Sequence, residues 1–201
     1  MLILTTYYFG TGRNMELIIA GVIALIVVFF VVMIYNGLIA KKNAVAFATS
    51  GIDVQFKKRY DLIPNLIESA KTYMTHERSV FERLVVLRTD AMKTGTGSEE
   101  SFKLNGEISD VLKNLKVSVE NYPQLRSVET FTLLQRSLNE VEEELSASRR
   151  AYNAAVNDFN NSLEQFPSKV FASMMHYEQK PYFRAADVER ANVSVAQAFQ
   201  R

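Results

Sequence analysis

A run of 24 residues without a charge, positions 17–40 (LIIAGVIALIVVFFVVMIYNGLIA), constrains this chain more than any other feature. At a rise of about 1.5 Å per residue, a helix of that length covers about 36 Å, enough to cross a hydrocarbon core of roughly 30 Å with some tilt. Tyr35 and Asn36 fall where the interface should begin, and an aromatic ring is favoured there. A cleaved signal peptide fits less well, because the run is too long and Ile39-Ala40-Lys41-Lys42 offers no small-x-small site. The run predicts an uncleaved anchor in the lipid bilayer, bounded by Tyr35, Lys41 and Lys42. Residues 1–16 read as a short tail. Met15 is an alternative start, which would leave the first fourteen residues outside the mature chain.

Charge sets the expected orientation. Lys41 and Lys42 abut the run, with Lys57, Lys58 and Arg59 beyond them, whereas only Arg13 precedes it. The positive-inside rule therefore predicts residues 41–201 in the cytoplasm. Lys57 lies sixteen residues past Lys41, about 24 Å along a straight helix. That is roughly three Debye lengths of about 8 Å at physiological salt, too far to reach lipid headgroups. The basic triplet reads as a solvated face or as a partner for Glu142–Glu144.

After the anchor, apolar residues keep a helical beat. Val45, Thr49, Ile52, Phe56, Tyr60 and Ile63 step by threes and fours, and Leu66, Ala70, Tyr73, Glu77, Val80, Leu84, Leu87 and Ala91 continue it. Pro64 predicts a kink or short break near Leu62. Residues 94–98 (TGTGS) form a turn with Ser98 as N-cap of a second helix, expected from Glu99 to Glu120. A third, long helix carries Val128, Phe131, Leu134, Leu138, Val141, Leu145, Ser148, Tyr152, Val156, Phe159, Leu163 and Phe166. That line has the 3.5-residue spacing of a coiled-coil seam. Pro167 ends it, a short helix follows in 168–177, and 184–201 read as a polar tail. With 8 Gly and 4 Pro in 201 residues and no period-two alternation, no strand is predicted. The expected fold is all-α: a transmembrane helix, then an antiparallel bundle over 41–183 with three long helices and a short C-terminal one.

The chemistry is sparse. A net charge of +1 carries no basic excess for nucleic acid. There is no Cys, and His76 and His176 are the two histidines. His76-Glu77 is half a zinc motif, with Val80 where the second His of HExxH would stand. No nucleophile has an orienting base, so no enzyme activity, catalytic residue, metal or cofactor is predicted. Glu77 falls on the apolar seam, and a buried carboxylate must be paired or neutralised. Arg149 and Glu142 flank the apolar line of the long helix. Glu77, Glu142, Arg149 and Tyr152 are therefore read as a structural polar layer, with Glu77 paired to Arg149. Tyr152-Asn153, Asn157 and Asn160-Asn161 point to cross-helix hydrogen bonds or a partner surface.

Several motifs together resemble the LemA family. They are Tyr35-Asn36 closing the anchor, residues 52–66 (IDVQFKKRYDLIPNL), His76-Glu77, residues 120–125 (ENYPQL), Arg149-Arg150-Ala151-Tyr152-Asn153, Asp158-Phe159-Asn160 and Phe166-Pro167. The resemblance covers residues 16 to about 183. Gly51 departs from it, since the family usually carries a larger residue there, and this predicts a local bend. The resemblance implies a bacterial inner-membrane protein with one N-terminal membrane helix, an antiparallel bundle and no enzyme activity. Family genes often lie beside membrane zinc peptidases or TPM-domain proteins, which implies an accessory part in membrane-protein quality control. The expected function is a non-enzymatic interaction scaffold for a protein partner, with a self-assembling (homo-oligomeric) membrane-organising structural protein, or an accessory to a membrane zinc peptidase in quality control, as the alternatives.

Overall fold

The computed structural model describes residues 2–183, with side chains from Met15 on; the expected polar tail 184–201 lies outside the described residues. Six α-helices follow one another among the described residues: α1 Leu2–Ala70, α2 Arg78–Lys93, α3 Glu99–Ser118, α4 Pro123–Arg126, α5 Glu129–Glu164 and α6 Ser168–Met174. Two 3₁₀ turns, Thr75–Glu77 and Val119–Asn121, lie between them, and no described residue is in a strand. The all-α expectation holds. The long first helix of the sequence reading, however, is two helices that turn back between Ala70 and Arg78.

Two compact units make up the chain. Among the described residues, one joins 2–43 with Phe159–Gln179, and the other joins Ala44–Asp158 with 180–183. In the first unit every described residue from Met15 to Met33 is exposed, as a lipid-facing helix requires. Burial begins at Ile34 and is nearly complete at Leu38 (2% exposed). Lys42 Nζ lies 5.1 Å from the centre of the Tyr177 ring, which lies tilted against Phe159 at 5.8 Å.

In the second unit α1 and α5 run antiparallel. Leu66 and Ala70 share a core with Leu138 and Phe131, so rising numbers on one helix meet falling numbers on the other. Met74, Phe81, Leu115, Val119 and Leu125 close that core from the hairpin and from α2 to α4. An aromatic cluster lies further along: Phe183 packs on Phe56 and Phe102, and Phe102 meets Tyr152 edge-on at 5.3 Å. Between α2 and α3 the turn is held as the sequence predicts, with Ser98 Oγ accepting from the Ser101 N–H at 3.1 Å. Gly97 sits there at φ +94°, and a Cβ on it would lie 3.2 Å from Thr49 Cγ2.

No break interrupts α1 at Pro64; the helix runs on through both Gly51 and Pro64. Proline removes the N–H that would bond the carbonyl four residues earlier, here Tyr60 O. Arg88 of α2 takes that place, its Nε donating to Tyr60 O at 2.7 Å. A neighbouring helix thus satisfies the carbonyl that Pro64 frees. Arg88→Leu should therefore lower stability by about 1–3 kcal/mol, the cost of stranding a buried acceptor. In a Pro64→Ala background, where a helix N–H can return to Tyr60 O, the same change should cost clearly less. Urea unfolding of the full chain in detergent, followed by circular dichroism, measures this coupling. Equal costs in the two backgrounds would refute it.

Candidate functional site

Arg59 is the centre of the bundle's polar chemistry. It follows Phe56 by three residues and precedes Ile63 by four, so helical spacing turns it onto the buried face of α1. Its side chain is fully buried (0% exposed). Nη1 donates to Glu142 Oε1 on α5 at 2.8 Å and to Ser109 Oγ on α3 at 2.9 Å. Nη2 donates to Asn105 Oδ1 and to the Asn105 carbonyl. Ser109 Oγ in turn donates to Glu142 Oε2 at 3.1 Å, and Tyr60 OH donates to Asn105 Oδ1 at 2.8 Å. Burial pushes the Tyr60 phenol above its usual value of 10, with Asn105 and Arg59 pulling the other way, so it stays a protonated donor. One guanidinium therefore ties α1, α3 and α5 together.

The residues read as a polar layer lie apart. Glu142 belongs to the Arg59 network. Glu77 does not lie on a buried helix face: it ends the 3₁₀ turn before α2 and is only half-buried. Arg149 lies over the Phe183 ring, 4.4 Å from its centre. Glu77 follows Met74, which packs in the Phe131 core, and Arg149 is eighteen residues beyond Phe131 on α5, about 27 Å away along the helix. The fold does not bring Glu77 and Arg149 together. Tyr152, buried with its phenol pushed up by desolvation, donates to the Pro181 carbonyl at 2.8 Å. Asn153 bonds Phe183 twice, donating to its carbonyl and accepting from its N–H, both at 2.8 Å. The Tyr-Asn stripe of α5 thus holds the segment 181–183.

Tyr35 is exposed, Lys42 lies over Tyr177, and Lys41 is half-buried. Among the described residues, no group of three or more His, Cys, Asp or Glu is placed to hold a metal ion. An open groove of about 770 Å³ lies between α1 and α5. Asp61, Glu140, Glu143 and Glu144 line it against one cation, Lys58, with Leu62 and Val141 also in the lining. Charge of that sign suits a basic protein surface.

The family described as the LemA family matches residues 48–196. The magnetosome proteins MamQ 2 and MamQ 1 of Paramagnetospirillum magneticum are each 23% identical to this chain, covering 95% of it and 80% of their own length. Protein LemA of Metamycoplasma hominis is 22% identical, covering 81% of this chain and 74% of its own. None of these names denotes an enzyme.

The burial asymmetry of the Arg59–Glu142 pair fixes what its removal should do. Glu142 is 31% exposed, so it can turn to water when its partner is lost; Arg59 cannot. Glu142→Ala should cost about 3 kcal/mol, the lower end for stranding a buried charge. Arg59→Met should cost less, about 1–2 kcal/mol, because no buried cation remains. Denaturant melts of the two variants give the order, and a neutral Glu142→Ala would mean the carboxylate does not hold Arg59.

Proposed function

We propose that this chain, which belongs to the LemA family, is a single-pass membrane protein whose helical bundle is a docking scaffold for a protein partner. One observation carries the reading. The helix that exposes apolar residues from Met15 to Met33 is the same α1 that supplies Phe56, Arg59, Ile63 and Leu66 to the bundle interior. Lipid contact and the scaffold therefore belong to one continuous element. The acidic groove between α1 and α5 is the docking surface, and a basic segment of the partner is its occupant. Lys41 and Lys42 support the placing of residues 41–201 on the cytoplasmic side of the bacterial inner membrane.

A photo-crosslinking side chain at Ser137, on the groove wall, tests the scaffold in intact cells. The expected result is one discrete adduct with a different protein, lost when Glu140 and Glu144 are changed to Lys. An adduct of twice the chain's mass would favour self-assembly, and no adduct would count against docking in this groove. Orientation is read on the same cells. Because the chain has no Cys, Lys93→Cys supplies a single thiol. It should resist a membrane-impermeant reagent until lysis, and labelling of sealed cells would reverse the topology.

A further inference from the structure

We infer that the corner joining α5 to α6 is a second, monotopic membrane contact, in which Phe166, Val170 and Met174 enter the bilayer interface beside the span. The inference rests on the reading of residues 17–40 as a bilayer span and extends it to a part of the chain remote in sequence.

Three observations carry it, all within the unit formed by the residues up to Asn43 and Phe159–Gln179. The first is exposure. Phe166 is 85% exposed, Met174 72% and Val170 50%, an apolar set that water does not favour. The second is spacing. Val170 and Met174 step by four on α6 and share one side of it, with exposed Phe166 in the turn just before it, while Ala172 turns inward at 2% exposed. Lys169, exposed beside Val170, adds the cation that interfacial helices present to anionic headgroups.

The third is level. Tyr177, three residues past the end of α6, packs tilted against Phe159 and carries Lys42 over its ring. Lys42 is two residues beyond the uncharged run, where headgroups should lie. Within the run Ile34 is half-buried and Leu38 nearly fully buried, although the residues before them are exposed. In this unit the chain available to cover them is Phe159–Gln179, whose Leu163, Ser162 and Ala172 are buried in return. The corner thus reaches back along α1 past Lys42 into the apolar run. An exposed Phe, Val and Met at that level meet lipid. Continuity with the span commits the face to a bilayer surface as its occupant.

The chain contains no Trp, so each introduced one is a single reporter. Phe166→Trp and Val170→Trp change exposed side chains, and circular dichroism should show unchanged helical content. Phe30→Trp reports the span. Phe47→Trp reports water, being 83% exposed and seven residues past the run, about 10 Å along α1. Each full-length variant is reconstituted into phosphatidylcholine–phosphatidylglycerol vesicles with and without brominated acyl chains. Brominated lipid should cut the emission of the 166, 170 and 30 reporters about twofold and leave Phe47→Trp nearly unchanged. If the 166 and 170 reporters keep their emission while the span reporter is quenched, the second contact is overturned and the span stands. Shielding of the 166 and 170 reporters that grows with protein concentration and ignores bromine would give the face to a second copy, again overturning it. An unquenched Phe30→Trp would remove the span and this inference together.

Discussion

A single buried guanidinium fixes the register of the bundle. Removing Arg59 from water is unfavourable by several kcal/mol, and the loss is recovered only when good acceptors surround it. Here the acceptors come from α3 and α5, namely Asn105, Ser109 and Glu142. Apolar seams on long helices can slide by a turn at little cost, because one Leu replaces another. A charge with a fixed set of acceptors cannot slide. Each neighbouring apolar layer, from Phe56 below to Leu66 above, is set by that one alignment.

Similar logic lets α1 stay unbroken. Pro64 should interrupt the helix, and its missing N–H does leave the Tyr60 carbonyl without an intrahelical donor. Arg88 reaches that carbonyl from α2, so the defect becomes a bond between helices. Tyr60 therefore takes part in two cross-helix contacts: its carbonyl meets α2 and its phenol meets Asn105 on α3. The stretch 59–64 concentrates the bundle's polar ties on less than two turns of one helix. Because the same helix runs back into the apolar residues 17–40, the bundle's polar centre and the exposed apolar residues share one backbone.

Much of this was legible in the residues. The uncharged run, the N-cap at Ser98, the span of α3 and the apolar line of α5 from Phe131 to Leu163 all follow from local rules of charge, capping and period. Arg59 was legible in part: the basic triplet reads as a partner for Glu142–Glu144, and Arg59 does pair with Glu142, but its burial was passed over. The steps 52, 56, 59, 63, 66 and 70 form a regular line of threes and fours, and every position on it is buried. Reading Arg59 with Lys57 and Lys58 as one basic run hid its place on that line; Lys57 and Lys58 are exposed, and Arg59 is not. A charged residue on an apolar line is the signal that could have found it.

The sequence by itself determined where helices form, which face of each is apolar, and which segment suits a bilayer, because those depend on neighbours within a turn or two. Tertiary structure decided where the first helix turns back and which charges meet. Residues 65–93 contain no Gly or Pro, and their apolar beat continues through Tyr73 and Glu77, so nothing local marks the hairpin. It forms because Met74 buries completely among Leu125, Phe131 and Val119, residues about fifty positions away in the chain. Burial against such distant residues outweighs the continuation of a helix, and it carries Glu77 out to a half-exposed turn. That Arg59, of the three cations in its run, is the one to meet Glu142 was decided the same way: a charge pairs with whatever the packed helices bring within reach, and that is set by the whole fold.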